Sequence, residues 1–111
     1  MLISAQELNQ RLHEPANLID VRTPEEFRRG HIAGATLLPL QSLTPAAAAK
    51  AIDPTRPTIL ICQASPRAFR AAQALLQWGF DKLLVLEGGM NAWQQAGLPS
   101  ETGDESLRAA S

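Results

Sequence analysis

Apolar positions along this chain follow two alternating rhythms. Short runs of Leu, Ile and Val occur at Leu18-Ile19-Asp20-Val21, Thr36-Leu37-Leu38, Thr58 to Cys62 and Lys82 to Leu86, and each predicts a strand. Between and around them, apolar residues recur at helical spacing over Ala5 to about His13, Pro24 to Gly30, Ala46 to Ile52, the stretch after Arg67 up to Trp78, and Asn91 to Ala96. Strands alternating with helices predict an α/β domain with a mainly parallel sheet. The run Thr58-Ile59-Leu60-Ile61-Cys62 has almost no polar interruption, as expected of a central strand covered on both faces.

The helix boundaries are marked by residues with definite physical roles. Ser4 with Glu7 forms a capping box, and Thr23-Pro24 with Glu26 repeats it with proline at the first helical position. Thr44-Pro45 opens the Ala-rich helix, whose Ala46 to Ala49 run reflects helix propensity. Gly30, Gly79 and Gly97 supply stop signals.

Composition narrows the functional classes. With 111 residues and 45% hydrophobic content, the chain forms one domain with a conventional core. We expect that domain over residues 1–99, followed by a polar, linker-like tail over 100–111. Ten Lys and Arg against eleven Asp and Glu give a net charge of -1, without the positive field that nucleic-acid binding needs. No segment reaches the ~18 apolar residues of a membrane span. The start also lacks the basic region and long apolar stretch of a secretory leader, so a soluble, cytoplasmic protein is expected. Cys62 is the single cysteine, which excludes an internal disulfide, and with only His13 and His31 beside it no Cys/His zinc site is expected.

In open α/β sheets, ligands gather where strand carboxyl ends lead into helix N-termini. Asp20 and Arg22 follow one predicted strand and Cys62 ends another. A cysteine there meets backbone N–H groups and a helix dipole that favour the thiolate, its reactive form. Arg67 adds positive charge at the same mouth, with Arg70 one turn on, so the pattern points to an anionic substrate. The competing reading is a packed apolar cysteine, a common fate for this residue. Four residues separate Cys62 from Arg67, one fewer than in the loop that wraps phosphate in cysteine phosphatases. A smaller group, such as a sulfur atom carried on the cysteine, suits the shorter ring of donors. Gly88-Gly89 lacks the lysine and spacing of a phosphate loop and reads as a turn. Trp78 and Trp93 read as apolar anchors.

Four segments, in order, resemble the rhodanese family of thiosulfate sulfurtransferases. Asp20-Val21-Arg22 with Glu26-Phe27 is similar to its D-V-R-x-x-x-E-F element, and Gly30-His31-Ile32-Ala33-Gly34-Ala35 to its G-H-I-x-G-A element. Cys62-Gln63-Ala64-Ser65-Pro66-Arg67 stands in the place of the C-x-x-G-x-R active loop, and Gly88-Gly89 with Trp93 matches the closing G-G-x-x-x-W. The resemblance spans roughly residues 4 to 99. It implies a five-stranded sheet with helices on both faces, and a mechanism without a cofactor or metal. By that resemblance Cys62 is expected to take the sulfane sulfur of thiosulfate or a similar donor as a persulfide, held by the loop residues Gln63, Ala64, Ser65, Pro66 and Arg67. An external acceptor, cyanide in vitro or a thiol in the cell, is then expected to remove it. Asp20 and Arg22 are expected to orient the loop or to pair with a helix, a supporting role favoured over direct chemistry, and His31 to make a structural hydrogen bond at a turn.

Ser65-Pro66 departs from the family, which has glycine at the first of these positions. Pro66 is expected to preset the first turn of the following helix and to bias Ser65 toward extended backbone. The Ser65 hydroxyl is expected to face the sulfur as a replacement donor. The same departure motivates an alternative, a sulfur-relay or protein-binding module without turnover. A small phosphatase is disfavoured by the loop length.

Overall fold

The computed structural model describes residues 2–103. Five strands form one all-parallel sheet: β1 (Leu2–Ile3), β2 (Asn17–Asp20), β3 (Thr36–Leu37), β4 (Thr58–Ile61) and β5 (Leu83–Leu86), in the order β1-β5-β4-β2-β3. The helices are α1 (Ala5–Gln10), α2 (Pro24–Arg29), α3 (Pro45–Ala51), α4 (Pro66–Gln77) and α5 (Gly89–Gln95), with a 3-10 turn over Leu40–Ser42.

The period-2 alternation of β4 explains the layering. Ile59 and Ile61 point to one face, where they meet Ala5 and Leu8 of α1 and Met90 and Trp93 of α5. Leu60 and Cys62 point to the other, against Ala48 of α3 and Ala68, Ala71, Ala72 and Leu75 of α4. All four residues of β4 are buried, as its uninterrupted apolar run predicts.

Four of the five strands fall where the apolar runs put them. The fifth, β1, is a two-residue segment too short to show a period, and it pairs Leu2 and Ile3 with Val85 and Leu86 of β5. Helix α1 ends at Gln10 instead of about His13 because Pro15 disfavours helical backbone before it, and Arg11 to Glu14 form the turn into β2. Helix α4 starts at Pro66, so Arg67 lies in its first turn and not in the preceding loop. At the far end, His31 and Glu101 form an antiparallel bridge, the Gly103 N–H donates to the Arg28 carbonyl, and Trp93 Nε1 donates to the Pro99 carbonyl at 2.9 Å. Residues 100–103 of the expected polar tail are thus tied to the domain; residues 104–111 lie outside the described region.

From β2 the chain steps outward to β3, whereas from β4 it steps the other way to β5. The loops leaving β2 and β4 therefore diverge, and the crevice at their carboxyl ends is the switch point where α/β sheets bind ligands.

Candidate active site

Cys62 follows the last residue of β4 and is fully buried. The next residues turn sharply, and the Ser65 N–H donates to Cys62 Sγ at 2.7 Å. An N–H aimed at sulfur at the start of a 12-residue helix favours negative charge there. Ser65 achieves this at φ 105°, ψ -31°, the left-handed side of backbone space. It is the one non-glycine residue with positive φ among the described residues.

Two expectations for Ser65 fail here. Its backbone is not extended, because the loop must turn at this point to enter α4. Its hydroxyl does not face the sulfur: it donates to the Leu86 carbonyl at 3.3 Å and accepts from the Gly88 N–H at 3.0 Å. The donor to sulfur is the backbone of the same residue. Pro66 does occupy the first helical position, as expected.

The far side of the loop is held by α5. The Met90 N–H donates to the Cys62 carbonyl at 2.8 Å and the Asn91 N–H to the Gln63 carbonyl at 3.0 Å. With trans peptides throughout, carbonyls drawn toward α5 turn the Gln63 and Ala64 N–H groups to the opposite side. The approach is so close that a Cβ on Gly89 would lie 2.3 Å from the Cys62 oxygen. The Gly88-Gly89 pair is therefore the fastening of the loop, consistent with its reading as a turn and not a phosphate cradle.

Asp20 and Arg22 form a buried ion pair. Arg22 Nε donates to Asp20 Oδ1 at 2.9 Å and Nη2 to Oδ2 at 2.8 Å; Nη2 also reaches the Gly30 carbonyl at 2.8 Å. The remaining arm, Nη1, donates to Gln63 Oε1 at 2.9 Å, and Gln63 Nε2 donates to Asn91 Oδ1 at 2.7 Å. Arg22 thus links β2 to the active loop and, through Gln63, to α5.

Arg67 makes a bidentate pair with Glu26 of α2, Nη1 to Oε1 at 2.7 Å and Nη2 to Oε2 at 2.8 Å. Glu26 is also the third helical residue of the Thr23 capping box, so one carboxylate serves both. The Arg67 hydrogen bond above all, with the Thr23 N–H and hydroxyl helping against partial burial, lowers the Glu26 pKa to about 2. The same pairing raises that of Arg67, with a smaller contribution from Cys62. Sequence reading assigned Arg67 to the substrate anion and gave Glu26 no site role; its signals were the capping signature and its place in the element running from Asp20 to Phe27. His31 is buried, stacks on Phe27 at 3.7 Å and places Nδ1 2.8 Å from the Phe27 carbonyl. A carbonyl only accepts, so Nδ1 carries the proton, in agreement with a structural role at this turn.

Comparison with known proteins agrees with this architecture. The Rhodanese-like domain family matches residues 4–96. A protein of Synechocystis, slr1261, is 46% identical over 83 residues, which are 75% of this chain and 45% of that protein. This chain therefore spans less than half of that relative. A sulfurtransferase of Allochromatium vinosum is 35% identical over 99 residues, covering 87% of this chain and 91% of the relative. The thiosulfate sulfurtransferase GlpE of Vibrio cholerae is 33% identical over 86 residues, 78% of this chain and 79% of GlpE. Among solved structures, the Alr3790 protein of Anabaena superposes with a TM-score of 0.83 at 30% identity, covering 96% of this chain and 87% of that one. Fold, motif order and these similarities place the chain in the rhodanese-like domain family.

Proposed function

We propose that this protein is a sulfurtransferase that carries sulfane sulfur on Cys62. The observation that carries this reading is the 2.7 Å contact of the Ser65 N–H with Cys62 Sγ at the start of α4, in a chain of the rhodanese-like domain family. The Cys62 thiolate attacks the outer sulfur of thiosulfate or a similar donor. The donor's S–S bond breaks, sulfite leaves with the electron pair, and a Cys62 persulfide forms. An external nucleophile, cyanide in the assay or a thiolate in the cell, attacks the terminal sulfur and regenerates the Cys62 thiolate. Gln63, Ala64, Ser65 and the first turn of α4, Pro66 and Arg67, surround the persulfide. Asp20 and Arg22 keep the loop in place. The chemistry needs no metal or cofactor. A single thiol suits a reducing, cytoplasmic setting.

The test is thiosulfate-to-cyanide transfer by the wild type and by Cys62→Ser. Turnover in the wild type and its loss in the variant support the reading; equal turnover refutes it. Mass spectrometry after thiosulfate treatment should show one added sulfur, removable by a reducing thiol.

A second reading, a relay or binding module without turnover, is favoured by the complete burial of Cys62 within an apolar cluster. Partner capture that persists in Cys62→Ser, with no turnover of thiosulfate by the wild type, selects it.

A further inference from the structure

We propose that Ser65 is a positioning residue of the Cys62 site: its hydroxyl, held between β5 and the turn into α5, keeps the residue at positive φ and thereby aims its own N–H at the sulfur. The inference rests on the reading of Cys62 as the reactive thiol.

A serine at φ 105° adopts a backbone that L side chains rarely take, and it persists only where surrounding contacts over-determine it. The hydroxyl bridges the Leu86 carbonyl at the end of β5 and the Gly88 N–H in the turn into α5. It caps nothing in α4. Helix α4 is itself fixed by Ala68, Ala71, Ala72 and Leu75, all packed in the core. With the helix fixed, φ of Ser65 sets the orientation of the Ala64–Ser65 peptide plane. Relaxation to an ordinary negative φ turns that plane through more than a right angle and swings the N–H off Cys62 Sγ. The hydroxyl therefore acts on the sulfur indirectly, through the torsion it enforces.

The chain has one cysteine and no tyrosine, so ultraviolet absorbance follows Cys62 ionisation without overlap from phenolates. Ser65→Ala removes the bridge and keeps the steric objection to positive φ. Its thiolate titration should move upward by about one pH unit, the loss expected of one hydrogen bond to a charged acceptor. Ser65→Gly also removes the bridge but reaches positive φ without strain, and should titrate within about 0.3 pH unit of the wild type. A purely structural role would lower the melting temperature of both variants and move neither titration. An Ala titration that matches the wild type overturns the proposal, and so does a Gly titration that moves as far as that of Ala. If Ser65→Ala does not fold in buffer alone, it is titrated in sucrose, which favours the folded state, beside the wild type and Ser65→Gly in the same solution, and the same outcomes decide; a Gly shift of about one unit overturns the proposal by itself. The titration needs no sulfur donor. Failure of the sulfurtransferase reading appears separately, as absent thiosulfate turnover in the wild type.

Discussion

Three hydroxyl–proline pairs open helices in this protein, and they do not behave alike. Thr23-Pro24 and Thr44-Pro45 have extended backbone at the threonine, and each hydroxyl accepts from an N–H in the first turn of its own helix. Ser65-Pro66 also puts proline at the first helical position, but the serine lies at positive φ and its hydroxyl is committed to β5 and the turn into α5. The first two helix starts are satisfied locally. The third, which carries the Cys62 loop, is satisfied from outside by Arg22 after β2, Glu26 of α2, the end of β5 and the N-terminus of α5. Damage to a locally closed start should cost stability alone, whereas damage to any outside support should also disturb the geometry around sulfur.

The largest effect should follow Arg22→Leu. It leaves Asp20 buried without its cation and Gln63 without its donor, and should cost about 3–5 kcal/mol in urea unfolding, with loss of sulfur transfer. A cost under about 1 kcal/mol would show that the buried pair does not hold the loop. Gly89→Ala comes next. Its Cβ would meet the Cys62 oxygen at 2.3 Å and Gln63 carbonyl atoms at 2.7 Å, at φ 58°, so the variant should lose roughly 2–3 kcal/mol. Its catalytic loss should be far larger than that of a substitution of equal stability cost elsewhere.

Thr44→Ala is the local control. Loss of its cap to Ala47 should cost about 1 kcal/mol by thermal melting, with sulfur transfer per folded molecule unchanged. Reduced transfer would erase the distinction between the two kinds of helix start. The smallest effect is expected from the Glu26–Arg67 pair. The folded-state pKa of Glu26 is lowered to about 2 from an ordinary 4.5, so its stabilisation is fully present above the ordinary value and fades as pH falls toward 2. For a partly exposed pair this amounts to about 1 kcal/mol or less. The stability difference between wild type and Glu26→Gln should accordingly shrink between pH 5 and pH 2; a constant difference would show that the pairing does not set the titration.

The same division separates what the sequence made legible from what it did not. Capping boxes at Ser4 and Thr23, the Thr44-Pro45 start, and the apolar β4 run are local patterns, each decided by residues within a turn or strand of one another. The expectation for Ser65 failed because the groups that capture its hydroxyl, Leu86 and Gly88, lie over twenty residues away. Arg67 was visible as a charge near the thiol, yet its partner Glu26 is 41 residues back and presents itself in the sequence as a helix cap and a motif position, neither of which points to Arg67. Strand β1 escaped because two residues cannot display an alternation; its pairing with β5 is set entirely by tertiary contact.

The docking of α5 onto the carbonyls of Cys62 and Gln63 also fixes an order in time. The loop leaves the ribosome more than twenty residues before Gly89, Met90 and Asn91, the residues that clasp it, and chains are made and begin to fold from the N-terminus. During that interval the thiol is synthesised but its setting is not. The nascent chain passes through a stage with a bare cysteine and no assembled cradle, and the site matures when α5 closes on it.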